Sequence, residues 1–396
     1  MKISTLGKLS IVHEGEQMKK ALIVANLAGF ASFLMNDFDI LAGLGYQIDF
    51  AANTEVLPWD GTKQELVKKG IRTIQIDFDS KKPVSFNNLK AYFQIAKLLN
   101  SQKYDLIHCH TPIVGLLTRV AKIRNSKENT KIVYTTHGLS YTSKSSFWKK
   151  CIYRTIEDFC SCLTDAIITI NKEDFSEVKK MHCKNVFYIP GVGVNTERFS
   201  AAFVDRYSYR KSINVYDDEI MVLSVGELST RKNHSVIIDA LAMLKEDTYV
   251  YVVCGNGING GTAQELEKNA KENNVRLILL GFRNDIPEIM KCSDIGAIPS
   301  IREGLGLAGV QSLAAGIPLV GSNVQGIKDY IVDGETGYLC DPTDASTFAK
   351  GIYKLTKQIQ KTQFPTRKCV EMARQFDIAI SREKMKEIYL NILLST

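Results

Sequence analysis

The stretch PSIREGLGLAGVQSLAAGIPLVGS, residues 299–322, decides the fold. An apolar run leads into a glycine-rich loop, a helical segment begins near Leu307, and a second apolar run closes the unit. Short apolar strands that alternate with helices are typical of a parallel sheet covered on both faces. Gly304 and Gly306 allow a tight turn, and the N-terminus of the following helix suits a phosphate group. A plain strand-to-helix turn also uses glycines, but the carboxylate of Glu303 beside them favours a ligand site.

The same rhythm runs through most of the chain. Apolar runs such as ALIVAN, YDLIHCH and KIVYTTHG alternate with helical patterns, and the rhythm restarts with EIMVLSVG after the segment IPGVGVNTERF. Glycine and proline interrupt the pattern there, which indicates a domain boundary. We therefore predict an α/β protein with two doubly wound domains that face each other across a cleft. The predicted units are a tail at 1–17, a first domain at 18–195, a second domain at 196–376 and a C-terminal helix at 377–396.

Length and composition agree with this division. The 396 residues suffice for two domains of roughly 150 to 200 residues each, and 45% hydrophobic with 23% charged residues is typical of globular proteins. The apolar runs all fall short of the roughly 18 to 20 residues of a membrane-spanning helix. The N-terminus lacks the apolar core of a signal peptide, and the nine cysteines form no CxxC pair. We expect reduced thiols and a cytoplasmic location.

The net charge of +7 belongs to the first half of the chain. Residues 1–200 contain 27 Lys and Arg against 19 Asp and Glu, whereas the remainder contains 23 against 24. This excess favours an anionic partner, and a membrane surface or an acidic ligand fits better than nucleic acid, for which no motif is present. The segment Lys144 to Arg154 mixes three aromatic with four basic residues. It either lies on an anionic membrane or is a helix whose aromatic side chains pack into the core.

Two loops of the second half carry cations at predicted strand ends. Arg231 and Lys232 lie between the strand EIMVLSVG and a helix, where they suit a pyrophosphate, although a solvated basic loop is the alternative. The loop after the strand VRLILLG contains Gly281 and Arg283. It is either a ligand loop or an ordinary turn in which Asp285 caps the next helix.

Histidines mark the strand ends of the first half. His137 follows the strand KIVYTT beside a glycine, a position that faces the predicted cleft. His108 and His110 are two apart on a strand and so face the same side, but the sequence identifies no third metal ligand. Gly29 is the only glycine of the loop ANLAGFASF, so a dinucleotide-binding fingerprint is absent. The sequence Asp-Phe-Asp at 77–79 is interpreted as a strand end rather than a metal site.

These motifs resemble those of the retaining glycosyltransferases of the GT-B fold in family 4. Members carry two glutamates with seven residues between them around an EGLGL-like core; here Glu303 occupies the first position and Gln311 the second. The resemblance implies that Glu303 contacts the donor sugar and that Gln311 contacts the ribose. An amide has one acceptor oxygen where a carboxylate has two, so we expect about tenfold weaker donor binding. The backbone amides implied to bind sugar and phosphate oxygens are those of Gly304, Leu305, Gly306 and Leu307.

The same resemblance assigns the other loops. Lys232 would bind the diphosphate, with Arg231 beside it, and the loop of Gly281 and Arg283 would cradle the base. Gly29 is also placed in the donor site. His137, Glu303 and Lys232 are the expected catalytic residues.

The resemblance further implies a reaction and its partners. The most similar enzymes assemble bacterial capsular or extracellular polysaccharide, so we expect a UDP-sugar donor, a lipid-linked saccharide acceptor near His110 and His137, and retention of configuration. No metal or other cofactor is expected, and the C-terminal helix should cross back onto the first domain. The location would be cytoplasmic, peripheral on the inner face of the plasma membrane. Two alternatives stay open at this point: a nucleotide-sugar epimerase of the same fold, and a non-catalytic subunit, which Gln311 and Glu227 favour.

Overall fold

The computed structural model describes residues 18–394, apart from 57–58, 81, 126–128, 143–144, 246–247, 258–259 and 362–363. The predicted tail at 1–17 and Lys144 of the basic aromatic segment lie outside the described residues. Within the described part, no helix is long and apolar enough to cross a membrane.

The first half forms a parallel sheet of seven strands with the order β3-β2-β1-β4-β5-β6-β7. The strands are β1 (Lys20–Leu27), β2 (Gln47–Asn53), β3 (Arg72–Gln75), β4 (Leu106–His110), β5 (Lys131–Thr136), β6 (Ala166–Thr169) and β7 (Asn185–Tyr188). The α-helices are α1 (Met35–Gly43), α2 (Asp60–Lys68), α3 (Phe86–Ser101), α4 (Pro112–Asn125), α5 (Phe147–Ser161) and α6 (Lys172–Val178). A 3₁₀ helix, Ala28–Phe33, joins β1 to α1.

The second half forms a parallel sheet of six strands with the order β10-β9-β8-β11-β12-β13. The strands are β8 (Ile220–Val225), β9 (Tyr249–Cys254), β10 (Arg276–Gly281), β11 (Ile295–Ile298), β12 (Leu319–Ser322) and β13 (Gly337–Cys340). The α-helices are α7 (Thr196–Ser200), α8 (Arg206–Ser212), α9 (Ser235–Leu244), α10 (Gly261–Glu272), α11 (Ile286–Cys292), α12 (Leu307–Ala314), α13 (Ala345–Gln360), α14 (Thr366–Arg374) and α15 (Ile378–Leu394). A second 3₁₀ helix spans Gln325–Asp329.

The predicted fold class is confirmed. Every residue of β4 and of β9 is buried, as expected for strands covered by helices on both faces. The sequence pattern missed β13, a strand of four residues at the edge of the second sheet that pairs with β12. The sequence pattern also placed a strand end at 77–79, but β3 ends at Gln75, and Ile76 and Phe78 continue in the loop.

The C-terminal helix crosses back onto the first domain, as predicted. The crossing begins where Val194 forms a parallel bridge with Asp377, whose carboxylate accepts a hydrogen bond of 2.5 Å from the Thr196 hydroxyl. Beyond this point α15 packs against α1 and buries Tyr389 completely. The helix therefore closes one side of the first domain next to the carboxyl ends of its strands.

The two domains also touch at a second place. Helix α6 of the first domain meets the 3₁₀ helix Gln325–Asp329 of the second. Lys328 pairs with Glu173 at 2.6 Å, and the Asp329 carboxylate accepts from the backbone N–H of Lys172 at 2.9 Å. These contacts hold the carboxyl ends of both sheets opposite each other.

Candidate active site

The loop between β11 and α12 lies at the centre of the cleft. Gly306 is the N-cap residue of α12 and has φ +79°, a left-handed conformation that glycine adopts at little cost. Gly304 lies so close to the first domain that a Cβ at this position would be 2.2 Å from the carbonyl oxygen of His137. Its own carbonyl accepts a hydrogen bond of 3.0 Å from the Asn171 amide, at the start of α6. The glycines predicted to bind the donor therefore also form the contact between the domains.

Three donors converge on one carboxylate oxygen of Glu303. The Oε2 atom lies 2.6 Å from Lys232 Nζ, 3.2 Å from Arg231 Nη1 and 3.2 Å from the Ser300 hydroxyl. Burial raises the pKa of Glu303, but the charges of Lys232 and Arg231 and these hydrogen bonds outweigh it, so the net shift is downward. The structure thus joins the predicted sugar-binding carboxylate and the predicted diphosphate-binding cations in one ionic cluster.

Arg231 bridges two carboxylates. Its second terminal nitrogen binds Glu227 Oε1 at 3.0 Å, while the first binds Glu303. Glu227 thus helps to hold the guanidinium over the loop. The two cations are balanced by the carboxylates of Glu303 and Glu227 and lie beside the N-terminus of α12, where they can turn from these partners to an anionic diphosphate.

The loop after β10 is arranged differently from the simple turn that its sequence allowed. Asp285 is the N-cap residue of α11 but makes no side-chain capping bond. Its carboxylate instead binds Arg283 at 2.5 Å and the Tyr209 hydroxyl at 2.6 Å. Gly281 ends the strand with φ +66°, and the next residue, Phe282, is 68% exposed. Sequence reasoning did not select Phe282, although an exposed aromatic side chain beside a ligand loop is a recognisable signal.

Gln311 lies in α12, one turn after Leu307, and is partly exposed. Its predicted contact with a ribose, and the donor contacts of Gly281, Arg283 and Gly29, stay predictions. Gly29 lies within the 3₁₀ helix after β1, and a Cβ there would meet no atom within 4 Å.

The predicted histidines meet in the first domain. The rings of His108 and His110 stack with centroids 4.1 Å apart, and His110 Nδ1 lies 3.1 Å from His137 Nε2. Burial lowers the pKa of His108 to about 3 and that of His137 to about 4, and it lowers the pKa of His110 well below the usual range. All three rings are therefore neutral near pH 7, each with one donor and one acceptor nitrogen.

Other residues complete this pocket. The ring of Phe30 stands edge-on to His137, with centroids 4.8 Å apart. Thr111, directly after His110, has φ +69°; a β-branched residue in this region costs about 1–3 kcal/mol, a strain that is common at functional sites. The adjoining cavity is lined among others by Phe33, Asp37, His110, Thr135, His137 and Met385. Of these, sequence reasoning selected only the two histidines.

The remaining acidic motif has a structural role. Asp77 pairs with Lys90 at 2.5 Å and accepts from the Gln94 amide at 3.0 Å, so it ties the loop after β3 to α3. Among the described residues, no cluster of three His, Cys, Asp or Glu side chains is placed to hold a metal ion.

Comparison with known proteins identifies the family. Residues 205–372 match the family described as "Glycosyl transferases group 1", and residues 24–171 match "Glycosyl transferase 4-like". EpsD of Bacillus subtilis (strain 168), named as a glycosyltransferase, is 29% identical over 94% of this chain and 96% of its own length. An enzyme of Escherichia coli named "UDP-Gal:alpha-D-GlcNAc-diphosphoundecaprenol alpha-1,3-galactosyltransferase" is 24% identical over 99% of both chains.

The solved structures agree on the fold. HepE of Anabaena, crystallised with UDP and glucose, superposes with a TM-score of 0.75 at 18% identity and covers 94% of this chain and 100% of its own. Two facing parallel-sheet domains with a glycine loop and a cation cluster between them are the frame of a GT-B transferase. The chain belongs to the group 1, family 4-like glycosyltransferases and is an enzyme of that class. Between the open alternatives, the match of both domains decides in favour of sugar transfer.

Replacing Gly304 by alanine tests the contact between the domains. The new Cβ would lie 2.2 Å from the backbone of His137, so the loop or the domain must shift. A displacement of about 1 Å at a reacting centre can lower the rate by about a hundredfold, and we expect a loss of roughly that size in the rate of transfer. Gly61→Ala, which meets no atom within 4 Å, is the control and should retain full activity. An unchanged rate of transfer in Gly304→Ala would show that the reaction does not depend on this contact between the domains.

Lys232→Met tests the cation cluster. The substitution removes the shortest contact to Glu303 and one positive charge, so UDP should bind about ten to a hundredfold more weakly in calorimetry. The pKa of Glu303 should rise, because less charge opposes the effect of burial. Lys268→Met, which removes an exposed partner of Glu272 at 3.8 Å, is the matched control. If Lys232→Met and Lys268→Met bind UDP with equal affinity, Lys232 is not part of the donor site.

Proposed function

We propose that this enzyme transfers a sugar from a UDP-sugar to a saccharide carried on a lipid diphosphate, with retention of configuration, in the assembly of a cell-surface polysaccharide. The observation that carries the proposal is the cluster of Lys232, Arg231 and Glu303 at the N-terminus of α12, opposite His137. The name of the Escherichia coli relative, which specifies a UDP-sugar donor and a diphosphoundecaprenol-linked acceptor, supports the choice of substrates.

The cation cluster serves the departure of UDP. When the bond to the anomeric carbon breaks, negative charge grows on the diphosphate, and Lys232 and Arg231 lie where they can bind it. Each cation that turns to the diphosphate loosens its bond to Glu303. The carboxylate then accepts hydrogen bonds from the sugar and stabilises positive charge at the anomeric carbon.

The arrangement of carboxylates bears on the route by which configuration would be retained. A double displacement needs a carboxylate nucleophile paired with a second carboxyl group about 5–5.5 Å away across the anomeric carbon. Glu303 is held by two cations, which weakens it as a nucleophile, and Glu227 lies on the far side of Arg231. We therefore assign attack to the face from which UDP departs, with the diphosphate taking the proton of the acceptor hydroxyl.

The acceptor lies in the first domain, at the cavity beside the histidines. His110 Nε2 is buried and has no hydrogen-bond partner among the described residues. A buried nitrogen without a partner is costly, and a sugar hydroxyl from the cavity would satisfy it. His137, bound to His110 on one side and in contact with the donor loop on the other, would orient the acceptor toward the donor.

The test uses purified enzyme with UDP-galactose, UDP-glucose or UDP-N-acetylglucosamine, and GlcNAc-diphosphoundecaprenol as the acceptor. We expect UDP release that depends on the acceptor and an α-linked product by NMR. Isomerisation of the donor without acceptor, or a β-linked product, would contradict the proposal.

Gln311→Glu tests the ribose contact. A carboxylate accepts from both ribose hydroxyls, so UDP-sugar affinity should increase several-fold, up to about tenfold, in calorimetry. UDP and 2′,3′-dideoxy-UDP should be compared, since the gain must disappear when the hydroxyls are absent. A flat or reduced affinity for UDP would remove Gln311 from the ribose site.

An anionic membrane is the proposed surface on which the lipid-linked acceptor is met. Phe147 and Trp148 do not pack into the core, because they are 71% and 75% exposed, whereas Tyr153 packs against it. Trp148, Ile152 and Phe159 form one exposed stripe along α5, since their spacings of four and seven residues return to the same helix face. Lys149 lies on the flank of the stripe and suits anionic headgroups.

A second exposed stripe continues the same face of the domain. On α3, Phe86 is 79% and Phe93 is 62% exposed, and α4 packs against both α3 and α5. Three neighbouring helices thus present apolar side chains outward in the half of the chain that carries the excess of positive charge. This combination fits a lipid surface.

Phe147→Ser with Trp148→Ser tests the membrane contact. Removing two aromatic side chains from the interface should weaken binding to phosphatidylglycerol-rich vesicles by on the order of tenfold or more in sedimentation, with UDP affinity unchanged. Phe203→Ser, at a second-domain residue that is 93% exposed, is the matched control. Equal sedimentation of the double variant and wild type would exclude α5 as the docking surface.

A further inference from the structure

A buried chain of hydrogen bonds runs from the C-terminal helix to the acceptor cavity. The Tyr389 hydroxyl lies 2.8 Å from Asp37 Oδ1 and 2.6 Å from His108 Nδ1, and His108 Nε2 lies 2.8 Å from the Thr135 hydroxyl. All four side chains are less than a tenth exposed. Asp37 and Thr135 also line the cavity that contains His110 and His137.

Neutral His108 makes the chain directional. A neutral imidazole has one N–H, so His108 can donate toward Tyr389 or toward Thr135, but not toward both. When Asp37 is charged, it can only accept, so Tyr389 donates to it. The Tyr389 oxygen must then accept from His108 Nδ1, and His108 Nε2 must accept from the Thr135 hydroxyl. In this state the Thr135 oxygen offers lone pairs to the cavity.

Protonation of Asp37 reverses every bond. The carboxylic acid donates to the Tyr389 oxygen, Tyr389 donates to His108 Nδ1, and His108 Nε2 donates to Thr135. The Thr135 hydrogen is released and can point into the cavity. One proton added at Asp37 therefore changes Thr135 from an acceptor to a donor, at the strand position paired with His110.

We propose that Tyr389 is a positioning residue of the acceptor site, which couples the charge of Asp37 to the direction of the Thr135 hydroxyl. With respect to the acceptor this rests on the proposed function. A non-reacting hydroxyl of the acceptor sugar can donate its hydrogen to Thr135, which fixes the acceptor in the cavity while the attacking hydroxyl keeps its own hydrogen for the departing diphosphate. The form with charged Asp37 is therefore the one that supports transfer.

The surroundings of Asp37 favour titration in the neutral range. Burial raises the pKa of Asp37 to about 7, although the bond from Tyr389 and a backbone N–H oppose this. Tyr389 from α15 binds Asp37, His108 from β4 lies 3.9 Å away, and the neutral rings of His110 and His137 line the same cavity. The 3₁₀ helix Ala28–Phe33 contains no ionisable residue, and Asp49 of β2 is occupied by Arg72 and Tyr104. On α1 itself, Asp39 pairs with Lys69.

Histidine-selective ¹⁵N NMR of the full chain tests the coupling without any substrate. In wild type, the ring proton of one neutral histidine should exchange its position from Nδ1 to Nε2 as the pH falls through 7. A histidine that gains a proton instead gives a different pair of shifts. Tyr389→Phe should abolish the exchange. Absence of the exchange in wild type, or its persistence in Tyr389→Phe, would overturn the proposal.

Two further variants control this experiment. Tyr104→Phe removes another buried tyrosine hydroxyl bound to an aspartate, Asp49 at 2.5 Å, but one outside the chain, so the exchange should remain. Asp37→Asn retains the shape and cannot titrate, so the exchange should be lost even if Tyr389→Phe folds poorly. An exchange that survives in Asp37→Asn would also overturn the proposal.

Kinetics with UDP-galactose and GlcNAc-diphosphoundecaprenol provide the second test. In wild type, the KM for the acceptor should be about fivefold to tenfold higher at pH 6 than at pH 8, the effect of about one hydrogen bond, with UDP affinity unchanged. Tyr389→Phe and Thr135→Val should each flatten this dependence, and their combination should add nothing further. A pH dependence that stays intact in both variants would refute the coupling. If no transfer occurs with any acceptor, the proposed function fails, and the NMR result still decides the coupling.

Discussion

The close approach of Gly304 to the first domain is the constraint on which the geometry of the cleft depends. The His137 carbonyl lies where a Cβ of Gly304 would be, and Gly326 leaves equally little room, with 2.2 Å from its own Cβ position to the Gly304 carbonyl. Three backbone segments from two domains thus meet without side chains between them. Because the loop is held at this distance, the N-terminus of α12 and the cations beside it face the histidines of the other sheet.

In the proposed function, the ionic cluster makes donor binding an exchange of partners. Burying Glu303 and Lys232 apart would be expensive, since each charged side chain is less than a fifth exposed. Their pairing removes that cost and holds the ammonium beside the loop. On that proposal, a diphosphate would compete with the Glu303 carboxylate for the same cations, and the carboxylate that it displaces would become available to the sugar. Binding of the anion and activation of the carboxylate would then be one event.

The features that the sequence revealed are those that depend on local pattern. Strands such as β4 and β9 are apolar throughout because both faces are covered, and glycine-marked strand ends led to His137, Lys232 and Glu303. The edge strand β13 was missed because its four residues differ in burial and show no periodic hydrophobic pattern. Asp37 and Tyr389 escaped for a different reason: they are 352 residues apart, and no spacing rule relates a tyrosine of the last helix to an aspartate of the first.

The two connections between the domains lie at one point, which separates the Gly304 loop of the second domain from Tyr389, which packs on the first. Val194 and Asp377 lie side by side between the domains, and a Cβ at Gly193 would be 2.5 Å from the Ile378 backbone, so both connections pass through one narrow point. Any opening of the cleft must turn about this point and withdraw Gly304 from His137. Tyr389 lies beyond it and is anchored in the first domain. The polar chain from Asp37 to Thr135 therefore lies wholly within the first domain and the helix anchored to it, whereas the contact of Gly304 with His137 depends on how the two domains are placed.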